Sequence, residues 1–405
     1  MLDCRKKNLV LRIMFGLLIG LGATRAGAAV LLGIDVLQQE DYAPLRGRHI
    51  GLVTNQTGVN SEGVKTRVLL AHAPGVKLVA LFTPEHGLDG TELAGRYVAS
   101  RRDRVTGRMA YSLYGPTRKP TPEMLAGIDT LVYDMQDIGC RSYTYISTLA
   151  KCMEAAGEKG IPVVVLDRPN PLGGIRIEGP GMEDRWKSFI GEFPVPYVHG
   201  MTAGELARMA NADGWVQPRC RLTVIQMQGW DRRMAWEDTG LRWVKPSPNI
   251  PYESSPLYYV ATGMIGELAG METGVGGSEP FEVAATDGVS AERVLARMRA
   301  YHLPDVSFSP YASGRFQGVR LHIEPHPDVN LTALGIYLLA ALDAGRHPDL
   351  FQASGGDKLE MFFKSYGSGV IRDQLERGMS PSRIVAGWAG GVSRFESKRA
   401  PYLLY

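Results

Sequence analysis

The stretch Val76-Lys77-Leu78-Val79-Ala80-Leu81-Phe82-Thr83-Pro84-Glu85-His86-Gly87 decides how this chain reads. Residues 76–82 are apolar apart from Lys77 and do not alternate, as expected of a strand covered on both faces. Gly87 then lets the backbone turn sharply. A Glu and a His therefore stand together just past the end of a buried strand. In open parallel α/β sheets that edge is where ligands bind.

Three more apolar runs end in the same way before residue 175. Ile50-Gly51-Leu52-Val53 leads into Thr54-Asn55-Gln56-Thr57-Gly58. Thr130-Leu131-Val132-Tyr133 leads into Asp134-Met135-Gln136-Asp137-Ile138-Gly139, followed by Arg141, Tyr143 and Tyr145. Val163-Val164-Val165-Leu166 leads into Asp167-Arg168-Pro169-Asn170-Pro171. Leu222-Thr223-Val224-Ile225 is a fifth strand candidate. Helix starts fall between the strands. Thr121-Pro122-Glu123 offers an N-cap with Pro at the first helical position, and Thr202-Ala203-Gly204-Glu205 is a capping box. Alternating strands and helices predict an α/β fold with a doubly wound, mostly parallel sheet over residues 29–255. No Gly-x-Gly-x-x-Gly follows the first strand, so dinucleotide binding is disfavoured and no cofactor is expected.

Pro246-Ser247-Pro248-Asn249-Ile250-Pro251 interrupts regular structure. Beyond it, a helix at about 290–301, a strand around Val319–Ile323, a helix at 331–343 capped by Asn330 and another starting at Ser380-Pro381 predict a smaller α+β unit over residues 256–405.

The N-terminus reads as an export signal over residues 1–28. Arg5, Lys6, Lys7 and Arg12 precede the apolar run 13–21, and Ala26-Gly27-Ala28 offers a cleavage site. The run is short for a membrane span, so an exported protein without stable membrane insertion is expected, in the periplasm or outside the cell. The net charge is +3, with no basic run and no aromatic-basic interleaving, which excludes an obvious nucleic-acid surface. Cys140 and Cys152 form the nearest pair for a bridge; Cys220 is left over. His322, Glu324, His326 and Asp328 alternate at period two, but Pro325 and Pro327 interrupt the ladder, and no metal is expected.

The strand-end residues suit a polyhydroxylated ligand. Asn55, Gln56, Gln136 and Asn170 bring amides, Tyr143 a hydroxyl, and Asp134, Asp137 and Asp167 carboxylates. Arg141 and Arg168 could hold an anionic substituent with paired hydrogen bonds. Asn55 and Asn170 have a turn-stabilising alternative, and Asp134 with Arg141, or Asp137 with Arg168, an ion-pair alternative. Glu85, with His86 beside it, is the expected catalytic group, because glycoside cleavage needs a carboxylic acid to protonate the leaving oxygen. No Gly-x-Ser-x-Gly elbow and no Ser-x-x-Lys set supports serine-nucleophile chemistry.

At these residues the chain resembles the NamZ-type exo-β-N-acetylmuramidase family, formerly known only as YbbC-like proteins. The matching segments are Gly33-Ile34-Asp35-Val36-Leu37, Gly51 to Gly58, Pro84 to Gly87, Asp134 to Gly139, Asp167 to Pro171, His199-Gly200-Met201-Thr202, Pro246 to Asn249, Pro280-Phe281-Glu282 and Tyr402-Leu403-Leu404-Tyr405. The resemblance implies a Rossmann-like domain joined to a smaller C-terminal domain that closes a cleft. It implies release of N-acetylmuramic acid from the non-reducing end of peptidoglycan fragments, with Glu85 as the catalytic acid. His199 and Glu282 join the expected substrate-binding set. Asp134, Asp137, Asp167 and Glu282 are candidates for a second catalytic carboxylate, and assistance from the substrate's acetamido group is the alternative. A non-catalytic sugar- or muropeptide-binding protein using the same cleft is the competing expectation.

Overall fold

A computed structural model describes residues 30–405; the expected leader lies outside the described residues. The first sheet has seven strands: β1 (His49–Thr54), β2 (Lys77–Thr83), β3 (Arg101–Arg102), β4 (Met109–Ser112), β5 (Thr130–Asp134), β6 (Val163–Leu166) and β7 (Leu222–Ile225). Their order is β3-β4-β2-β1-β5-β6-β7. Every pairing is parallel except the β3–β4 edge ribbon. The continuous apolar runs of β1, β2, β5 and β6 match their burial on both faces. The chain runs outward from β1 through β2 on one side and through β5 on the other. The crevice between β1 and β5 is thus a topological switch point, where such sheets bind ligands.

Four helices flank this sheet: α1 (Gly33–Gln39), α2 (Thr66–His72), α3 (Tyr145–Lys159) and α4 (Ala203–Ala212). The expected capping box forms at α4. The Thr202 hydroxyl accepts from the Glu205 N–H, and the Glu205 carboxylate accepts from the Thr202 N–H. At the start of α1, a Cβ on Gly33 would stand 2.4 Å from the Asp167 nitrogen, so only glycine permits this approach. The helix expected from Thr121 does not form. Met124 N–H bonds the Thr121 hydroxyl, but Gly127 turns left-handed at φ 73° and the chain enters β5 after a short run of turns.

The second sheet is antiparallel, with β8 (Met271–Glu272), β9 (Val283–Thr286), β10 (Val306–Ser313) and β11 (Phe316–Ile323) in the order β10-β11-β9-β8. Helices Ala291–Ala300 and Leu331–Asp343 accompany it, capped by Ser290 and by Asn330, whose side chain accepts from the Ala333 N–H. The helix Leu331–Asp343 is apolar nearly all round and correspondingly buried. One continuous apolar core contains Tyr133 and Leu149 of the first sheet's layer and Val319, Leu334 and Leu338 of the second. Cys140, Cys152 and Cys220 are free, buried thiols, and burial pushes the Cys140 thiol up to about 11. β11 ends at Ile323, so the period-two acidic and histidine series leaves the strand at once. His322 Nε2 meets the Ser309 hydroxyl at 2.9 Å, and His326 Nε2 lies 3.7 Å from Asp238.

Candidate active site

The parallel register brings Glu85, Asp134, Asp137 and Asp167 to one edge of the sheet, just beyond β2, β5 and β6. Glu85 is 7 % exposed. One carboxylate oxygen accepts the Gly95 N–H at 2.7 Å and the other accepts the Thr144 hydroxyl at 2.8 Å. These bonds fix the carboxyl's orientation from two different loops. The backbone beside it is strained: His86 sits at φ 68° and Gly87 at φ 76°. A left-handed non-glycine residue costs on the order of 1–3 kcal/mol, and such positions cluster at functional sites. His86 Nδ1 donates to the Glu92 carbonyl at 2.7 Å, so this ring fastens the loop that carries Gly95.

Three groups feel the charge of Glu85. The Tyr114 hydroxyl lies beside its carboxylate, and burial first, then that negative charge, raises the phenol's pKa. Tyr143 is buried; burial dominates the rise in its pKa, and the charges of Asp137 and Glu85 add to it. Glu267, from the second half of the chain, is raised by burial and also by the Glu85 charge, against the opposing pull of Lys358. Tyr143 packs edge-on against Tyr145 at 4.8 Å between centroids and against Tyr259 at 5.9 Å, and Tyr259 meets Phe281 at 5.0 Å. This aromatic ladder joins the two halves. Its far rung, Phe281, is also left-handed, at φ 69°.

Asp137 stands apart from the other aspartates. One oxygen accepts the Gly139 N–H at 2.7 Å, while the other is buried with no partner among the described residues. Burial pushes its carboxyl up to about 7, so it holds a proton through the mildly acidic range.

Several expected ligand groups are instead engaged by the protein. Asp134 does not pair with Arg141, nor Asp137 with Arg168. Arg168 grips Asp134 through Nε and Nη2, and Asp134 also accepts the Thr66 hydroxyl. Arg141 is wholly buried. Its Nη1 donates to the Pro180 and Val195 carbonyls and its Nη2 to those of Ser365 and Tyr366. The last two end the helix Gly356–Tyr366, where the helix dipole favours a cation. Desolvation lowers this guanidinium to about 10, yet its acceptors are the protein's own. Asp167 accepts the Thr202 hydroxyl and the Gly204 N–H at the start of α4, and the Tyr405 hydroxyl at 2.7 Å. Burial raises it to about 6.

The amides of Asn55, Gln56 and Gln136 are engaged on one side, with Asn55 Nδ2, Gln56 Oε1 and Gln136 Oε1 buried without partners among the described residues. Asn55 accepts from Thr57, and Asn170 accepts the Leu172 N–H while donating to the Met201 carbonyl, so both take their turn-stabilising alternative. Gln56 donates to the Lys245 and Pro246 carbonyls, and Gln136 to those of Asp137 and Pro169. His199 is fully buried, accepts the Met201 N–H, and is driven down to about 3 by burial and by Arg399 and Arg141, so it is neutral. Glu282 is half-buried among Glu279, Arg320 and His322.

Two cavities of about 490 and 570 Å³ flank the sheet edge, and neither is lined by Glu85. The larger collects Gln56, Gln136 and Arg168 with Trp236, Trp243 and Lys245. Its Gln56 wall packs against Gly90 of the loop after Glu85, where a Cβ would stand 1.9 Å from the amide. Tyr114, Thr144, Tyr259 and Glu267 escaped the sequence reading. The short run Met109-Ala110-Tyr111-Ser112 before Tyr114 was the available signal, but its half-buried alternation marks a partly covered strand near the sheet's margin rather than a core one.

Fold and site together define an α/β protein with a carboxyl-rich edge at the switch point of a parallel sheet, completed by a second, antiparallel unit. Family models described as exo-beta-N-acetylmuramidase NamZ match it twice, the N-terminal model over residues 50–254 and the C-terminal model over 257–405. The chain belongs to the NamZ family. It is 40% identical to the peptidoglycan beta-N-acetylmuramidase NamZ of Bacillus subtilis (strain 168), covering 93% of this chain and 91% of that protein. Two crystal structures of DUF1343 family proteins from Bacteroides fragilis NCTC 9343 are similar. One has a TM-score of 0.86 at 40% identity and the other 0.66 at 28%; each comparison covers 93% of this chain and 99% of the other.

Proposed function

We propose that this chain is an exo-acting glycoside hydrolase that releases N-acetylmuramic acid from the non-reducing end of peptidoglycan fragments, working outside the cytoplasm after removal of residues 1–28. The observation that carries this reading is Glu85. It is a buried carboxyl, oriented from two loops, at the ligand-binding edge of a parallel sheet in a member of the NamZ family. In its protonated form Glu85 gives its proton to the glycosidic oxygen as the bond to C1 breaks. A water adds at C1 and releases a proton in turn, so the site returns to its starting state. Asp137 is the second carboxyl best suited to the chemistry: it retains a free oxygen, whereas Asp134 and Asp167 are enclosed in structural bonds. The two units, 29–255 and 256–405, both contribute, the second through Glu267 and Tyr259. Among the described residues no helix is long and apolar enough to cross a membrane.

The test is turnover of a muramic acid–glucosamine disaccharide by the purified protein, with free N-acetylmuramic acid as the measured product. Saturable binding without release would make the protein a sugar-binding module instead. Recovery of intact Met1 from a cytoplasmic fraction would overturn the proposed location.

A further inference from the structure

Arg141 and Arg168, the two guanidiniums the sequence offered for an anionic substituent, are both occupied by the protein. A third guanidinium stacks on a tyrosine whose hydroxyl lies beside Glu85. β4 runs parallel to β2 with Thr83 opposite Ser112, so Glu85 and Tyr114 each stand two residues beyond a paired position. Arg118 follows in the same loop. Its guanidinium carbon lies 3.4 Å from the Tyr114 ring centroid and 4.9 Å from that of Phe189. The same ring carries the hydroxyl that lies beside the Glu85 carboxylate and within reach of the guanidinium. The Arg118 Nη1 is buried without a hydrogen-bond partner among the described residues. Leaving a charged donor unmatched in a half-buried place is costly, and two aromatic faces hold this one there.

We infer that Arg118 is the specificity-determining residue that binds the lactyl carboxylate of N-acetylmuramic acid. The inference rests on the proposed muramidase reading. A carboxylate matches a guanidinium with two parallel hydrogen bonds, and the lactyl group is what separates muramic acid from N-acetylglucosamine. The geometry is consistent with the chemistry. The lactyl ether is on C3 and the scissile oxygen on C1, with C2 between them, so the carboxylate and the bond to be broken lie within one sugar ring of each other. Tyr114 touches both the group that would hold the first and the group that acts on the second. The aromatic stack also presets the guanidinium plane before substrate arrives.

The test compares Arg118→Gln and Arg118→Lys with the parent on an aryl β-N-acetylmuraminide, using free N-acetylglucosamine as a competing inhibitor. Loss of charge-assisted hydrogen bonds should lower kcat/KM of Arg118→Gln by about 10- to 150-fold, mainly through KM, with inhibition by N-acetylglucosamine changed by less than about twofold. Arg118→Lys keeps the charge and packing stem but not the paired geometry, and should recover part of the loss. It also serves as the test should the Gln variant fold poorly. A parent-like KM in either well-folded variant, or an equal weakening toward N-acetylglucosamine, would overturn the assignment and leave the hydrolase reading standing. A parent protein that releases no muramic acid would overturn both.

Discussion

Arg168 holds Asp134 by two near-parallel hydrogen bonds, 2.5 Å from Nε to one carboxylate oxygen and 3.0 Å from Nη2 to the other. Both side chains are almost wholly enclosed, at 4 % and 0 % exposure. The pair welds the loop after β6 to the end of β5, and a further bond from Arg168 to the Val59 carbonyl brings in the loop after β1. It frames the site's floor and leaves little of either group for a ligand.

Removing one partner of that pair strands a buried charge. Arg168→Ala should cost about 3–5 kcal/mol of stability, read as a lowered midpoint in urea. Any change in sugar preference should be small beside that loss. A variant with the parent's midpoint would show that the pair contributes no net stability.

Glu85→Gln should fold normally, since the amide keeps the carboxyl's shape: its oxygen can still accept the Gly95 N–H, and its NH2 can donate to the Thr144 hydroxyl, which turns to accept. Release of muramic acid should fall by about 10²–10⁴-fold, the usual worth of a positioned proton donor. An aryl glycoside with an activated leaving group should suffer less. His86→Ala should act through the loop it fastens, with a milder loss. Near-parental rates in Glu85→Gln would move the proton-transfer role to Asp137.

Asp137 makes stability depend on pH in a definite direction. Its folded carboxyl is raised to about 7, above the usual aspartate value. Between the two values the unfolded chain has lost the proton that the folded chain keeps, so its contribution to stability is present at low pH and lost as pH rises toward 7. The slope approaches about 1.4 kcal/mol per pH unit where the two states differ by a full proton. Asp137→Asn imitates the protonated form and should remove this slope, so its advantage over the parent should grow from pH 4 to pH 7 and then level off. Thermal melts across that range make the measurement, and a constant offset between the two proteins would refute the raised carboxyl.

Tyr405→Phe should be destabilising although the residue lies at the very end of the sequence. Its hydroxyl donates to Asp167 and accepts the Met227 N–H. Deleting it leaves a buried carboxylate short of a donor and a main-chain N–H without its acceptor, at a cost of about 1–3 kcal/mol. Hydrogen exchange at Met227 should quicken in step. Unchanged exchange there would mean that water takes over the hydroxyl's place.

The strands were legible because β1, β2, β5 and β6 are buried on both faces and so write themselves as unbroken apolar runs. Thr202 and Asn330 were legible as caps because their partners lie only three residues away. Partnerships across the fold were not. Nothing local marks Asp134 as the mate of Arg168 rather than Arg141, or tells that Arg141 would find the end of a helix more than 220 residues later. Arg118 was missed for a related reason: the strand before its loop is short, lies near the sheet's margin and is only half covered, so its apolar pattern is faint.

The bonds from Arg141 to Ser365 and Tyr366 have a consequence for how a sugar gains entry. Swinging the second sheet away from the first would strip a desolvated cation of half its acceptors and pull apart the Tyr143–Tyr259 contact. An ensemble member opened in that way would be scarce, and binding that waited for it would lose affinity in proportion to its rarity. Such opening is disfavoured, and admission falls to the loops at the sheet's rim. Affinity is then set by a mould already cast rather than by the free energy of closing one.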